Sequence, residues 1–545
     1  MFLAPKMPHQ SPSPSRKPYL VQKYGGTSIG KLLPTITDTI IPTHLATHNL
    51  AIVCSARSST TKDFGTTSLL LQAIKSASSG DARFEEIIET IKQDHLRAVE
   101  QVVDQSAGDV LLEVQIQIKK DCARLVSLLH ATRVLREVSG RTTDRVLVFG
   151  ETLACRVVAA ALNSKGIAAR VVILDDIVEE MYGDDQARRA DMFKRHPTAF
   201  LSGLTTIMAK RIKACEKGIP IITGFFGAMP GSLLKCVSRG YSDLCAALCA
   251  VALSAVELQI WKEVDGIFTA DPRKIKSARL LATITSEEAA ELTYYGSEVI
   301  HPLTIDQLDA AQMPLRLKNV ANPQGEGTII YPGEEHKSGQ ALNNHSEISN
   351  VHIRLNRPGG EIPSFMVANG YYGQTQHRRR PTAITTKDDI IILTVRSHGT
   401  SSPQAFFSDV GACLALHDLV VNITSSSQQS LSLAVHDPDA CCLEDTIKAL
   451  EGIGIVYVAK AMSIVSVIGH NMRNMVGVSA EIFSALASAK INIYLISQGA
   501  SEINISFVVR ASEAQLAMQV IHEKVLKISP YEERENAFAK GPWLY

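Results

Sequence analysis

The segment KYGGTS at residues 23–28 places a lysine directly before paired glycines, a combination that suits phosphate binding. Glycines have no Cβ, so their backbone N–H groups can approach phosphate oxygens closely. We predict a strand that carries Lys23 and a helix that begins at Thr27 or Ser28, whose N-terminus adds partial positive charge. The segment therefore predicts a phosphate-binding loop, although an ordinary tight turn fits Gly25 and Gly26 equally well.

Residues 25–31 also match the first seven positions of a P-loop, G-x-x-x-x-G-K. In that loop the next residue is Ser or Thr, whose hydroxyl binds Mg²⁺. Leu32 stands at this position, so we interpret the match as coincidental and Lys31 as a surface lysine.

A second candidate segment, SRGYSD at residues 238–243, precedes the apolar helical run LCAALCAVAL. Ser242 and Asp243 stand at the predicted start of that helix, where either one can act simply as an N-cap. Arg239 favours a further role, because a planar guanidinium can hold a substrate carboxylate through two hydrogen bonds. The segment therefore predicts either a helix cap or part of a carboxylate-binding site.

Three further segments carry candidate residues. Glu151 follows VLVFG at residues 146–150, which we predict to be a strand, so it is either a first-turn glutamate or a site carboxylate. Residues 261–273 (WKEVDGIFTADPR) combine an Asp-Gly turn, an aromatic ring and an Asp-Pro-Arg stop, which suits a wall for adenine and phosphate. Residues 298–302 (EVIHP) are predicted to end a later helix, with His301 as a structural histidine.

Strands that alternate with helical patterns position these residues. The runs LAIVCSA, VLVFG, ARVVIL, IPIITGF and LQIWKEV all lie between residues 19 and 330. Such alternation predicts an α/β domain with a mostly parallel sheet that is covered on both faces. Residues 331–385 are rich in Gly, Pro, Asn and His and are predicted to be a linker, in which the basic run HRRR is a solvated charge cluster.

The C-terminal region contains a repeat of about 72 residues. IIILTV at 390–395 and IVSVIG at 464–469 are each followed by a helical stretch and two strands. This order is the split βαβ pattern of ferredoxin-like modules. In INIYLIS, alternation would place Ile491, Ile493 and Leu495 on one face and the residues between them on the other.

These patterns give a domain plan for the 545 residues, a length that favours three to four domains. The plan has a disordered tail at 1–18, a catalytic domain at 19–330, a linker at 331–385, repeats at 386–460 and 461–530, and a tail at 531–545.

Composition excludes several classes of function. Basic and acidic residues number 55 each, so no overall field attracts nucleic acid or anionic membrane. No apolar run approaches the ~20 residues of a membrane span, and residues 1–18 lack the apolar core of a secretory signal. The ten cysteines include no Cys-x-x-Cys pair, so we predict buried, reduced thiols and no protein-held metal. We expect a cytoplasmic protein.

Together the segments resemble the aspartate kinases of the amino-acid kinase family. Residues 23–28 are similar to the family's Lys-Phe-Gly-Gly-Thr-Ser opening, and residues 238–243 to its Arg-Gly-Gly-Ser-Asp. Residues 264–273 resemble the family's nucleotide segment, and the C-terminal repeat resembles its paired ACT modules. Bacterial members usually have Thr-Asp where Lys262 and Glu263 stand and often have Lys in place of Glu298, so the chain looks more like fungal members.

The resemblance implies a three-layer αβα sandwich followed by tandem ferredoxin-like (βαββαβ) ACT domains. It implies transfer of the ATP γ-phosphoryl group to the β-carboxylate of L-aspartate, with Mg²⁺ bridging the phosphates. Lys23 would contact that group, Gly25 and Gly26 would donate backbone hydrogen bonds, and Asp243 would orient Lys23. The implied aspartate site consists of Ser55, Thr66, Glu151, Arg239 and Ser242, and the implied ATP site of Lys23, Gly26, Lys262, Glu263, Phe268, Asp271 and Arg273.

The fungal look of the chain implies feedback inhibition by L-threonine, and ACT modules imply a homo-oligomer. The implied effector residues are Asn422, Thr424, Ser427 and Gln498, although ordinary polar turns fit the same residues. Two alternatives stay open: a kinase of glutamate or another small acid or nucleotide on the same fold, and an amino-acid sensor without catalysis. The presence of Lys23, Glu151, Arg239 and Asp243 argues against such a sensor.

Overall fold

The computed structural model divides into two compact units, which are described separately. Unit 1 comprises the chain up to Asp265 together with Leu303–Gly327, and unit 2 comprises Gly266–Pro302 and the chain from Thr328 onward. Residues 266–302 lie inside the range predicted as the catalytic domain, yet they group with unit 2. The residues described are 17–58, 65–104, 106–215, 218–237, 240–296, 300–333, 381–399, 402–417, 419–438, 440–470, 472, 475–498 and 503–528.

Unit 1 is built on parallel strands in the order β3-β4-β2-β1-β5-β7. The strands are β1 (Tyr19–Tyr24), β2 (Asn49–Cys54), β3 (Ala169–Val172), β4 (Ile219–Thr223), β5 (Leu258–Lys262) and β7 (Leu315–Asn319). They read as continuous apolar runs because helices cover both faces of a parallel sheet. Of the predicted strands, LAIVCSA, ARVVIL, IPIITGF and LQIWKEV are confirmed as β2, β3, β4 and β5.

Helices form the outer two layers of unit 1. They are α1 (Gly26–Lys31), α2 (Leu33–Thr35), a π-helical turn (Ile36–Ile40), α3 (Ile41–Leu45), α4 (Thr66–Ser78), α5 (Phe84–Val102), α6 (Gly108–Leu135), α7 (Gly140–Ser164), α8 (Ile177–Tyr182), α9 (Gln186–Arg195), α10 (Pro197–Lys213), α11 (Leu233–Val237), α12 (Tyr241–Leu253) and α14 (Pro302–Ala310). Helix α7 packs on β2, β3 and β4, and α12 packs on β1, β2 and β5. The predicted α/β sandwich is confirmed.

The prediction of a strand at residues 146–150 is wrong, because this segment lies inside α7. Ser139 caps the helix by accepting a hydrogen bond from the backbone N–H of Thr142. Gly150 allows close packing, since a Cβ there would lie 2.9 Å from the Cβ of Ala56 and 3.3 Å from Leu70. A short apolar run cannot be assigned to strand or buried helix from its pattern alone.

Helix α7 is also long and apolar enough to span a membrane, but 83% of its most apolar 18-residue stretch is buried inside the protein. It therefore has the surroundings of a core helix.

The prediction that residues 298–302 end a helix is also wrong. Helix α13 (Ser286–Tyr294) in unit 2 ends earlier, and α14 begins at Pro302, directly after His301. Proline is favoured in the first turn of a helix because its missing N–H would have no intrahelical partner there. Glu298 lies outside the described residues.

Unit 2 contains an antiparallel sheet in the order β10-β11-β9-β12-β14-β13. Its strands are β9 (Ala383–Ser397), β10 (Val421–Ser426), β11 (Ser430–His436), β12 (Gly454–Ile468), β13 (Leu495–Gln498) and β14 (Asn504–Arg510), and its helices are α15 (Pro403–Leu416), α16 (Ala440–Glu451), α17 (Val478–Ser488) and α18 (Ala511–Lys524). Unit 2 also contains a parallel pair of strands, β6 (Thr283–Thr285) and β8 (Thr328–Tyr331). The repeat of strand, helix, strand and strand is confirmed.

The two repeats share both long strands. The first half of β12 pairs with residues 390–397 of β9, and its second half pairs with residues 383–387. The pairing shifts register between the halves, where Asp389 and Ala461 have φ angles of 55° and 56°. The predicted linker thus ends in residues that close the sheet of the second repeat.

INIYLIS is a strand only from Leu495 onward, so its first four residues were wrongly predicted as β. The predicted alternation is confirmed, since Ile491 and Leu495 are buried and Ile493 is half-buried. Asn492, Tyr494 and Ile496 are exposed.

Buried polar side chains link β1 to β5 in unit 1. The Gln22 amide donates to Gln259 Oε1 at 2.9 Å, and the Trp261 indole N–H donates to the same oxygen at 3.2 Å. The Tyr24 hydroxyl donates to Gln22 Oε1 at 3.0 Å. All four side chains are buried, so each depends on the others for its hydrogen bonds.

Replacement of Gln259 by Leu should destabilise the protein by roughly 2–4 kcal/mol, because the Gln22 amide and the Trp261 N–H lose their acceptor without access to water. Urea unfolding measures the change. The double variant Gln22→Leu/Gln259→Leu should cost less than the sum of the single variants. Gln101→Leu, at an exposed glutamine near the end of α5, is the matched control. Strict additivity would contradict the proposed network.

Candidate active site

The candidate site lies where the carboxyl ends of the central parallel strands of unit 1 meet. Strands β1, β2, β4 and β5 run in the same direction, with Tyr24 beside Cys54 and Trp261 and with Cys54 beside Thr223. In open α/β sheets, ligands bind in the crevice outside this edge. Lys23, Ser55 and Lys262 all lie at these strand ends.

The paired glycines connect β1 to α1. Gly25 is the N-cap with an extended backbone (φ −71°, ψ 158°), and the helix begins at Gly26, one residue before the predicted start. A Cβ on Gly26 would lie 2.1 Å from the carbonyl oxygen of Ala56, so no side chain fits there. A Cβ on Gly25 would meet only Ser28 Oγ, at 3.8 Å. Gly26 is therefore required by the close approach of the loop after β2.

A buried ion pair joins β1 to α12. Lys23 Nζ lies 2.6 Å from Asp243 Oδ1, and both side chains are 7% exposed. Lys262 Nζ, at the end of β5, lies 3.6 Å from the other carboxylate oxygen. Burial would raise the pKa of Asp243, but the two lysines outweigh it and hold that pKa below its usual value. Asp243 is thus ionised and holds two cationic side chains together.

Glu151 lies in the buried middle of α7. The Tyr241 hydroxyl donates to its Oε1, and Oε2 has no hydrogen-bond partner among the described residues. Burial raises the pKa of Glu151 to about 7, against the lowering effects of the Tyr241 hydrogen bond and the charge of Lys23. A buried carboxylate oxygen without a partner is costly unless a ligand donates to it. The arrangement fits a cationic ligand group.

Hydroxyl groups fill the space between the strand ends. Ser55 Oγ and Ser242 Oγ lie 2.8 Å apart, so the loop after β2 contacts the first turn of α12. Gly240 is the N-cap of α12, and neither Ser242 nor Asp243 caps the helix. The cap alternative for these two residues is therefore wrong. Thr66, at the start of α4, donates to the carbonyl of Arg57 at 2.8 Å.

Two residues that sequence reasoning did not assign belong to this cluster. Tyr241 holds Glu151, and Ser28 donates to Glu263 Oε1 at 2.6 Å, which ties α1 to the end of β5. Ser28 was visible as part of the glycine segment, whereas nothing in the sequence indicated that Tyr241 is buried beside Glu151.

The remaining predicted residues lie elsewhere. Arg239 is outside the described residues, and Lys31 is exposed at the end of α1. Phe268, Asp271 and Arg273 belong to unit 2. There Arg273 is exposed and forms two side-chain hydrogen bonds with Asp271, at 3.1 and 2.9 Å.

Metal binding by the protein alone has no support in the described part of the chain, where no group of three or more His, Cys, Asp or Glu side chains could hold an ion. Asp243 is already engaged by Lys23 and Lys262.

The predicted effector residues differ in exposure. Asn422 is 8% exposed, and its Oδ1 accepts a hydrogen bond from Lys387 Nζ at 2.6 Å. Its amide nitrogen has no partner among the described residues. Thr424, Ser427 and Gln498 are exposed; Ser427 Oγ lies 2.7 Å from Ser430 Oγ, and Gln498 accepts from Ser479 at 3.2 Å.

The side chains gathered at the strand ends of unit 1 can hold two anionic ligands next to each other. Lys23 and Lys262 supply positive charge at one end of the cluster, and Glu151 supplies a carboxylate inside it. Asp243 is ionised, but two lysines hold it, so it is not available as a general base. Such a site can position a phosphate group beside a ligand that carries an ammonium group.

Comparisons with known proteins agree with this geometry. A model of the amino acid kinase family matches residues 18–319, and a model of the ACT domain matches residues 465–525. The aspartokinase of Saccharomyces cerevisiae is 41% identical over 528 residues, which cover 94% of each chain. The aspartokinase of Candida albicans is 39% identical over 529 residues, which cover 95% of this chain and 92% of that protein.

Solved structures show the same fold. Escherichia coli aspartokinase III in complex with lysine and aspartate superposes with a TM-score of 0.67 at 22% identity, covering 93% of this chain and 99% of the other. Its complex with aspartate and ADP gives a TM-score of 0.64. The chain therefore belongs to the amino acid kinase family and, within it, to the aspartokinases.

Proposed function

We propose that the chain transfers the γ-phosphoryl group of ATP to the β-carboxylate of L-aspartate, giving 4-phospho-L-aspartate. The observation that carries the proposal is the buried Lys23–Asp243 pair at the carboxyl ends of β1 and β5, with Glu151 buried in the same unit. Fungal aspartokinases that match almost the whole chain support the same reaction.

The reaction needs positioning and charge stabilisation more than proton transfer. An ionised carboxylate is already a nucleophile, so the site must overcome repulsion between two anions and align them for in-line attack. We assign Lys23 to the transferring phosphoryl group and Asp243 to holding its ammonium in place. Gly25 and Gly26 would donate backbone hydrogen bonds, and Mg²⁺ bound with ATP would neutralise phosphate charge.

On the aspartate side, Glu151 would accept hydrogen bonds from the substrate ammonium through Oε2, which has no partner in the described part of the chain. Arg239 would hold a substrate carboxylate, and Ser55, Thr66 and Ser242 would line the pocket. On the nucleotide side, Lys262 and Glu263 extend from β5. Phe268, Asp271 and Arg273 are assigned to ATP from the family resemblance alone.

Lys23→Ala should lower kcat by about two to three orders of magnitude, because a donor aimed at developing charge is worth roughly 3–4 kcal/mol. Arg239→Ala should act mainly on the KM for aspartate. Hydroxylamine, which traps the acyl phosphate product, allows both the kcat and the KM for aspartate to be measured. Lys31→Ala, at the exposed lysine of α1, is the control and should leave kcat unchanged.

Two results would count against the assignment. A Lys23→Ala enzyme that keeps more than about a tenth of wild-type kcat loses less than ~1.4 kcal/mol and cannot have lost the phosphate contact. Faster turnover with glutamate than with aspartate would favour the alternative of a glutamate kinase on the same fold.

The KM for aspartate should depend on pH through Glu151. Its pKa is raised to about 7, so the free enzyme holds a neutral carboxyl at lower pH and must release a proton to bind the ammonium. The KM should therefore rise about tenfold between pH 8 and pH 6, where the ionised fraction falls by about that factor. In Glu151→Gln the KM should be high and independent of pH over this range. A wild-type KM that stays constant would remove Glu151 from ammonium binding.

For regulation, we propose that L-threonine inhibits the enzyme through the first C-terminal repeat. Asn422 supports this, because it is a buried amide whose oxygen accepts a hydrogen bond from Lys387 and whose nitrogen has no partner among the residues that the structure describes. Thr424, Ser427 and Gln498 would supply hydroxyl and amide groups nearby. The inhibitor would act by binding more tightly to the inactive state.

Asn422→Ala and Ser427→Leu should each raise the threonine concentration for half-inhibition at least fivefold, within the range of typical coupling energies. Uninhibited kcat should change little, because neither Asn422 nor Ser427 is among the residues assigned to aspartate or ATP. Inhibition curves with threonine and with lysine provide the measurement, and Asn492→Ala at an exposed asparagine is the control. Inhibition by lysine instead, or unchanged threonine curves, would refute this assignment.

The same proposal gives the chain a place in the cell. It would act in the cytoplasm at the first step of threonine and methionine biosynthesis, as a homo-oligomer joined through its ACT domains.

A further inference from the structure

A cavity of about 280 Å³ lies in unit 1, between the start of α7, helix α9 and the loop that follows β4. Ser139 and Arg141 line it from α7, Arg189 and Ala190 line it from α9, and the loop contributes residues 228–231. None of these residues belongs to the candidate active site. Glu151 lies ten residues further along α7 than Arg141, which corresponds to about 15 Å of helix.

The guanidinium of Arg189 is the unusual feature of this cavity. Arg189 is only 3% exposed, and its Nε and Nη1 have no hydrogen-bond partner among the described residues. The nearest acidic group is Glu179, whose Oε1 lies 3.8 Å from Nη1, beyond hydrogen-bond distance. Leaving a buried charged group without hydrogen bonds is costly, so the site favours a ligand that supplies acceptors.

The start of α7 adds further donors to the lining of the cavity. This helix is 25 residues long, and the first backbone N–H groups of a helix have no intrahelical partner. Ser139 Oγ satisfies only that of Thr142. Arg141 pairs with the exposed Asp184 at 3.0 Å and with the mostly buried Glu179 at 3.8 Å, so its charge is partly offset.

A nearby carboxylate does not satisfy Arg189. Asp144 accepts two hydrogen bonds from the backbone N–H of Leu233, at 3.1 and 2.9 Å, and is therefore committed to the loop.

We propose that this cavity binds a small phosphate-like oxyanion, held by Arg189, Arg141 and the N-terminus of α7. The planar guanidinium fork matches two oxygens of such an anion, and helix N-termini favour negative charge. The volume is slightly below that of cavities which hold drug-sized ligands, so it fits inorganic phosphate or a small phosphorylated metabolite.

An anion in this position would connect three parts of unit 1. The loop at residues 228–231 runs into Leu233, which is tied to α7 through Asp144, and then into α11 and α12. Helix α12 carries Asp243. The bound anion would therefore stabilise the segment that leads to the Lys23–Asp243 pair, at a distance from the substrates themselves.

Isothermal titration of the full-length protein with inorganic phosphate tests the proposal. Arg189→Gln should weaken phosphate binding at least tenfold, because it removes the charge and the fork. Arg195→Gln is the matched control on the same helix, since Arg195 is exposed and pairs with Asp191; its affinity should stay within twofold of wild type. Equal affinity in the wild type and Arg189→Gln would overturn the proposal.

Ala190→Glu provides an independent variant, because Ala190 lines the cavity from an exposed position and the substitution leaves the buried residues in place. A carboxylate there should also weaken phosphate binding at least tenfold. Phosphate binding at the active site is distinguished by Lys23→Ala. Binding that disappears in Lys23→Ala but persists in Arg189→Gln would overturn the cavity assignment, whatever the outcome for the proposed reaction.

Competition defines the ligand. Sulfate should displace phosphate and acetate should not, because the proposed site recognises a tetrahedral dianion. Tighter binding of glycerol phosphate than of inorganic phosphate would identify an esterified source, and the reverse would identify the free anion. Displacement by acetate at the same concentration as sulfate would overturn the assignment to a phosphate-like ligand.

Discussion

The ion pair between Lys23 and Asp243 is the interaction on which the site depends. Burying an ammonium and a carboxylate costs several kcal/mol each, and the cost is offset only while each group remains next to the other. This requirement fixes the end of β1 against the first turn of α12. Lys262 at the end of β5 adds a second cation to the same carboxylate, so the adjacent strands β1 and β5 each place one lysine against Asp243.

On the opposite face of β1 and β5, buried polar side chains fix how the two strands pair. Side chains alternate along a strand, so Gln22 and Tyr24 point away from the face that carries Lys23. Their hydrogen bonds with Gln259 and Trp261 fix the register of β1 and β5 inside an otherwise apolar layer. A one-residue slip would bury Lys23 in that layer and expose the glutamines to the charged cluster. The polar side chains therefore favour the observed register, because only in that register are their hydrogen bonds formed.

Much of this arrangement could be predicted from the sequence, because local signals and chemistry coincide in β1 and at the start of α12. Lys23, the glycines and Asp243 lie where short motifs placed them. Glu151 was expected beside a glycine, but the preceding apolar run was predicted to be a strand. The error arose because α7 is buried on nearly all sides between Val146 and Leu162, and a five-residue apolar run within it fits a strand as well as a buried helix. Tyr241 was not assigned because its role depends on a contact 90 residues away.

In the C-terminal repeat, the order of the elements could be predicted, but the pairing between distant strands could not. Its order of elements could be predicted because alternation is regular, but the two repeats were predicted as separate ranges, 386–460 and 461–530. The pairing of residues 383–387 with the second half of β12 depends on a contact between distant segments that no local pattern encodes. The effector residues were likewise chosen by residue type, and the structure separates Asn422, which is buried, from three exposed neighbours.

The shared strands have a mechanical consequence. Because β9 and β12 each run through both repeats, neither module can rotate as a rigid body without bending two continuous main chains. The positive φ angles at Asp389 and Ala461 lie close to the point where the pairing of the two strands shifts register, so any bend is concentrated there. A rotation of one module against the other would therefore bend both strands side by side, at the same level of the sheet.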